Sequence, residues 1–303
     1  MRLFISLLLL INIWSTAYAD APIVAVVHYK APDQYKPIIN DIVGGVEDAV
    51  DSDVIRIIID KNDDSSLALV KSLSPSIPII SITPTVHSKL KELNLTNKQI
   101  LGATTSRKSL DNTIIASLTA PMTEIISSLQ SLAADKNRIH YFHHPHDALL
   151  TRTETINGEE GSPVEIIDYP VNSTSEALLG LKHLFEENLK QSDAIYIESD
   201  VVSHNPELII KYLVEQSWRY RTPVITNSSS LVKQGLLFAL VPDYIEHGRL
   251  LGRLATEVTQ NNYSIRHTPS SALLINRRTL LHLGLPTPES TIEREVIYVG
   301  TPY

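Results

Sequence analysis

Four histidines and a carboxylate crowd into eight residues, His140-Tyr-Phe-His-His-Pro-His-Asp147. Neutral imidazole is a ligand for zinc, copper, nickel or iron, so this run is the first place to look for metal chemistry. Its spacing argues against a closed site. His140 and His144 share a side only if a strand continues through them, Pro145 forces a turn, and a chain with no cysteine has no thiolate to complete a tetrahedral set. No metal site is expected, and His144 is carried forward as a candidate ligand contact or a solvated residue.

Other polar residues cluster just beyond apolar runs. His28 and Tyr29 could supply a polar contact and an aromatic wall. Thr83, Thr85 and Ser106 bring hydroxyls and backbone N–H groups that suit a carboxylate or an amide, while Asp200 could pair with an ammonium. Asn227 and Ser228 complete the set. For Thr83 and Asp200 the competing reading is local, a helix cap or an Asx turn. Catalytic signatures do not occur: the sequence has no G-x-S-x-G, H-E-x-x-H, G-x-x-x-x-G-K or G-x-G-x-x-G pattern. Zero cysteine also removes catalytic thiols and iron–sulfur ligation. A binding protein that is not an enzyme and carries no cofactor is expected.

These residues gain meaning from what must hold them. Apolar runs rich in β-branched residues predict strands at 23–27, 54–59, 77–82, 138–142, 164–167, 194–197 and 223–226. Helical periodicity falls between them, at 35–49, 65–72, 86–93, 120–133, 175–190, 206–219 and 244–259. Continuous apolar strands alternating with helices signal parallel sheets with covered faces, an α/β protein. The pattern pauses between about 102 and 120 and then restarts, which predicts two doubly wound lobes with ligand loops at the carboxyl ends of their strands. The helix from Tyr244 has the clearest start, with Asp243 as cap and Glu246 three residues on, as in a capping box. Gly248 and Gly252 on its face predict close approach to a sheet.

With 303 residues, 43% of them hydrophobic, the chain has enough apolar matter for two lobes. A net charge of −8 is the wrong sign for a general nucleic-acid binder. Residues 1–19 read as a secretory signal. Arg2 gives the positive start, an apolar run follows, and Ala17-Tyr18-Ala19 forms an A-x-A cleavage pattern. Cleavage after Ala19 removes one of 26 positive residues and leaves 25 against 34, a net −9. Without cysteine, a thioether lipid anchor is chemically impossible, so a soluble exported product is expected.

The run Pro223-Val-Ile-Thr-Asn-Ser-Ser-Ser-Leu-Val-Lys-Gln-Gly235 and the stretch Asp243-Tyr-Ile-Glu-His-Gly-Arg-Leu-Leu-Gly252 resemble the ABC-transporter substrate-binding protein family that includes periplasmic tryptophan and tyrosine binders. The tail from Leu274-Ile-Asn276 to Leu283-Gly-Leu-Pro286 is similar to the ending of that family, and Ile82-Thr-Pro-Thr-Val-His87 looks like its Gly-Thr-Pro loop. The resemblance implies two α/β lobes joined by a three-segment hinge, with crossings near 118, 240 and 270. The lobes would then be 20–118 plus 241–269 and 119–240 plus 270–303. It also implies a small-molecule ligand, an amino acid or similar, and a membrane permease as partner; a sensor signalling to a membrane protein is the alternative. Ile82 stands where the family has Gly and Ser106-Arg107 where many members have Asp-Pro, so ligand identity does not carry over.

Overall fold

The structure is a computed structural model, and it describes residues 24–50, 53–60, 65–105, 113–145, 154–157, 163–202, 206–257, 265–288 and 294–300. The signal segment, Ser106, His146 and Asp147 lie outside the described residues.

The first sheet contains β1 (Val24–Tyr29), β2 (Val54–Ile59), β3 (Ile79–Ser81), β4 (Gln99–Thr104), β5 (Thr113–Ser117) and the late strand β12 (Ile265–His267). All are parallel, in the order β12-β5-β4-β3-β1-β2. Its first five strands thus run 2-1-3-4-5, one of the two common doubly wound orders. The helices between them are α1 (Lys36–Ala49), α2 (Ser65–Lys71) and α3 (Pro84–Lys91). Strand β1 has apolar residues on both faces because both are covered. Val24 and Val26 pack in one core with Ile42 and Val46 of α1, whereas Ala25 and Val27 pack in another with Leu67 of α2 and Leu90 of α3.

The second sheet repeats the plan. It holds β6 (Arg138–His143), β7 (Glu154–Asn157), β8 (Pro163–Pro170), β9 (Asp193–Ile197) and β10 (Val224–Thr226) in the order β10-β9-β6-β8-β7, with β7 alone antiparallel. Its helices are α4 (Met122–Leu132), α5 (Thr174–His183), α6 (Pro206–Tyr220) and α7 (Ser229–Lys233), and α5 runs on into a π turn at Leu184–Asn188. A third sheet, β11 (Phe238–Pro242), β13 (Ser270–Asn276) and β14 (Glu295–Val299), extends this lobe. Phe238 and Leu273 share one core with Tyr196 and Ile225 of the second sheet. The remaining helices are α8 (Tyr244–Thr256) and α9 (Arg277–Leu283).

The chain passes between the lobes three times: from β5 to α4 at 118–121, from β11 to α8 at 242–243, and from β12 to β13 at 268–269. The expected pause near 102–120 in fact contains the end of β4 and the whole of β5. Thr-Ile-Ile-Ala-Ser is short and bounded by polar residues, so its strand character comes from parallel pairing with β4 and β12 rather than from a long apolar run. Strands β4, β7 and β11 to β14 and helices α7 and α9 are likewise not marked by periodicity.

Helix α8 departs from two expectations. Asp243 does cap it, accepting from the N–H groups of Ile245 and Glu246 at 3.1 and 3.0 Å, but Glu246 turns away from the cap to pair with Arg249. The glycines serve a helix–helix contact, not a helix–sheet one. A Cβ on Gly248 would run into the Ile42 carbonyl, and one on Gly45 into that of Ile245, so the backbones of α1 and α8 touch where neither has a side chain. At the other end of α8, the Lys98 ammonium donates to the carbonyls of Leu254 and Glu257 at 2.6 and 2.7 Å, a cation closing a helix C-terminus.

Candidate functional site

Strand carboxyl ends in both lobes point toward the three connections, and the predicted polar residues that fall among the described residues lie at or beyond those ends. In the first lobe His28 ends β1 but is only 2% exposed, with both ring nitrogens engaged. Nδ1 lies 2.7 Å from the Tyr29 carbonyl and must donate to it; Nε2 then accepts from Arg56 Nε at 2.9 Å. Burial, with the Arg56 charge adding to it, lowers its pKa against the opposing pull of the Tyr29 carbonyl. His28 thus links β1 to β2 through Arg56. Tyr29 is half-buried beside the core formed by Ile57, Ile59 and Val70. Thr83 caps α3, its Oγ1 accepting from the Val86 N–H at 3.4 Å, while Thr85 is exposed on the first turn.

In the second lobe His144 follows β6, half-buried, and its carbonyl accepts from His143 Nδ1 at 2.8 Å. Asp200 is exposed, and its Oδ1 accepts from the Val201 N–H at 2.8 Å, the local turn reading. Asn227 Oδ1 accepts from the Ser199 N–H at 2.9 Å, tying the loop after β10 to the loop after β9. Ser228 precedes α7, with its Oγ 2.9 Å from that of Ser230. The structure therefore draws Asn227 and Ser228 together with the β9 loop on one lobe, and Tyr29, Thr83 and Thr85 on the other.

Sequence reasoning missed the residues between these groups. A small cavity under the first connection is lined by Leu118, Thr119, Tyr196, Thr226, Asn227 and Phe238 among others, so Asn227 is the one predicted residue that reaches it. Beneath it Tyr141 donates to Glu198 Oε1 at 2.6 Å, both groups buried, and the Tyr141 ring stacks on Tyr196 at 5.1 Å and on His143 at 4.6 Å. The available signal was alternation: a carboxylate two residues beyond Tyr196, at the end of an apolar strand, faces the same side as that ring.

The histidine run divides between two faces of β6. His140 Nε2 lies 3.0 Å from Asp193 and Nδ1 3.2 Å from the Tyr169 hydroxyl, whereas His143 Nε2 lies 2.7 Å from Asp168. Strand alternation separates these groups, and among the described residues no cluster of three metal-ligating side chains forms. Trp218 lies far from the strand ends that carry these loops. It precedes β10, stacks on His282 at 4.3 Å and carries the Arg278 guanidinium 4.7 Å over its ring. The largest cavity described, about 530 Å³, runs along this outer face of α6 and away from the connections.

Two parallel α/β lobes of like strand order, joined by three connections, define a periplasmic-binding-protein-like fold of type I. The chain belongs to the ABC transporter substrate-binding protein family, whose model matches residues 50–296. The fold is similar to that of a substrate-binding protein with adhesive properties from Clostridium difficile in its ligand-free, open structure. That chain is 14% identical, with a TM-score of 0.57 over 92% of this chain and 99% of that one. An ABC domain from Streptococcus pneumoniae in complex with L-Trp is 15% identical over 91% of this chain and 100% of that one, with a TM-score of 0.49. No curated protein sequence matches the chain. Membership of this family makes the protein a solute-binding component with a small-molecule ligand and a membrane transporter as partner. No helix among the described residues is long and apolar enough to cross a membrane.

Proposed function

We propose that the protein is the periplasmic receptor of an ABC-type uptake system, exported by a signal segment cleaved after Ala19. In this reading it captures an amino acid or similar small polar molecule by closing two lobes, 20–118 plus 241–269 and 119–240 plus 270–303. It acts as a monomer without a cysteine-linked lipid and performs no chemistry on its ligand. The observation that carries this reading is the repeated strand order, which sets polar loops from both lobes around the connections, where ligands of doubly wound folds bind. Tyr29, Thr83, Thr85, Ser106, His144, Asp200, Asn227 and Ser228 are the proposed contacts, with Asn227 foremost because it ties the loop after β10 to the loop after β9 beside the first connection.

The test is calorimetric titration and thermal melting of the mature protein against a panel of amino acids and small metabolites. A ligand at about 100 times its dissociation constant adds about 2.7 kcal/mol of stability. Asn227→Ala is expected to weaken that ligand at least about tenfold, the cost of one well-placed hydrogen bond to a charged group. A panel without any shift overturns the uptake reading. Tryptophan fluorescence is a poor substitute, since Trp218 stacks on α9 at the outer end of the second lobe.

A further inference from the structure

His247, fully buried in the second turn of α8, makes contacts that none of the proposed binding roles require. Its Nε2 lies 3.0 Å from the backbone nitrogen of Ala103 in β4, and its Nδ1 lies 2.6 Å from Thr268 Oγ1 in the third connection. Thr268 Oγ1 is in turn 2.7 Å from the carbonyl of Ser117, the last residue of β5 before the first connection. A backbone N–H can only donate and a carbonyl can only accept, so the direction of the chain is fixed at both ends. Ala103 N–H donates to Nε2, Nδ1–H donates to Thr268, and the Thr268 hydroxyl donates to Ser117. Only the neutral ring with its proton on Nδ1 completes this chain, because an imidazolium has two donors and no acceptor.

The residues so linked all belong to the first lobe and lie where the first and third connections leave it. Ala103 has a left-handed φ of 45°, within the register shift between β4 and β5, a conformation that costs an alanine free energy and needs outside support. Around it, Ser117 Oγ meets Thr119 Oγ1 at 2.8 Å, and His267 Nδ1 donates to the Thr119 carbonyl at 3.0 Å. The Asp243 N–H, in the second connection, donates to the Pro269 carbonyl in the third at 3.0 Å, and the His247 N–H donates to the Asp243 carbonyl at 2.8 Å. All three connections are therefore stitched into one network, with the His247 ring linking β4 to the first and third.

We propose that His247 is a positioning residue of the hinge: its neutral ring holds the lobes at a set angle, and protonation of that ring releases them. Only the consequence for ligand capture rests on the uptake reading; the link between connections stands apart from it. Titratable groups on the elements packed around the ring have other partners, and Lys98, just before β4, closes the far end of α8. His267 bonds Thr119, Asp243 caps α8, Glu246 pairs with Arg249, and Asp48 of α1 meets Arg249 at 3.0 Å. Burial is the force that lowers the pKa of His247, to about 4, so release falls in mild acid.

The absence of native cysteine allows a direct measurement. Spin labels on Leu69→Cys and Leu179→Cys, 60% and 70% exposed on helices of opposite lobes, report the interlobe distance in ligand-free protein between pH 7 and 3.5. The distribution is expected to shift or broaden reversibly as pH falls toward 4. In the Thr268→Val background it should be altered already at pH 7, and in His247→Gln it should not respond to pH. An unchanged distribution in folded wild-type protein at pH 3.5 overturns the proposal, as does a His247→Gln curve that follows the wild type. Should acid unfold the wild type first, the pH 7 comparison decides: Thr268→Val indistinguishable from wild type sinks the hinge role, and an altered distance sustains it. Because no ligand is present, a failed ligand panel overturns the uptake reading without touching this result.

Discussion

Buried histidines occur in both lobes, yet they are held by different chemistry. In the first lobe His247 meets a backbone N–H and a threonine hydroxyl, and His87 lies 3.1 and 3.3 Å from the hydroxyls of Ser81 and Thr113. In the second lobe His140 and His143 each face an aspartate, Asp193 and Asp168. Neutral partners leave desolvation unopposed, so both first-lobe rings have pKa values lowered to about 4, and His87 also feels Lys91. The carboxylate partner changes the outcome. Burial alone would raise the Asp193 pKa, but hydrogen bonds from His140 and the Lys190 N–H, together with the Arg138 charge, hold it below its ordinary value. One residue type thus makes an acid-sensitive joint in one lobe and a contact to a buried or half-buried carboxylate in the other.

The largest test of that contrast removes the carboxylate. Asp193→Asn takes the buried carboxylate from His140 and from Arg138, whose Nη1 is 3.3 Å from Asp193 and which keeps only the half-exposed Glu165 at 3.2 Å, and is expected to cost about 3 to 5 kcal/mol in denaturant unfolding, the range for breaking a buried pair. A loss below 1 kcal/mol would mean that the cluster contributes little.

Acid separates the lobes next. His247 has a pKa of about 4 in the fold against 6.5 in the free side chain, so between those values the unfolded chain binds more protons. Its contribution, about 3 kcal/mol, is complete above pH 6.5 and lost as pH falls to about 4, with His87 acting in the same direction. The Asp193 contribution is lost in the same direction but in a lower window: it is present above about pH 3.8 and lost only as pH falls below that. Melting temperatures from pH 7 to 4 should therefore fall in the wild type and fall less in His247→Gln; equal slopes would remove His247 from the account.

The smallest expected effect is a control. His183 and Glu187 form the same histidine–carboxylate contact at 3.2 Å on an open surface, both 63% exposed. Glu187→Gln is expected to change stability by no more than about 0.5 kcal/mol, since water already solvates both groups. A cost near that of Asp193→Asn would show that pairing, rather than burial, sets the second-lobe energetics.

Much of this architecture was legible in the residues themselves. Strand β2 was assigned with its observed bounds, and α1, α2 and α6 to within a residue at each end, because long apolar or amphipathic segments register their own burial. Strands β5 and β12 are not, since Thr113–Ser117 and Ile265–His267 pair with each other across about 150 residues of sequence. The candidate site divides the same way. Asn227 follows a visible strand and was placed on the loop where it lies, whereas His28 follows an equally visible strand and is spent on Arg56, a partner that periodicity does not reveal.

The sequence by itself determined the α/β class, the restart that makes two lobes, and the resemblance that the family match bears out. Those are properties of period and composition, written locally in the chain. Only the tertiary structure decided that Gly45 and Gly248 let two helices touch and that β6 sends His140 and His143 to different aspartates. It alone showed that His247 joins β4 to two connections. Each of these depends on which distant donor meets which acceptor once burial has excluded water, and that pairing is fixed only when the chain has folded.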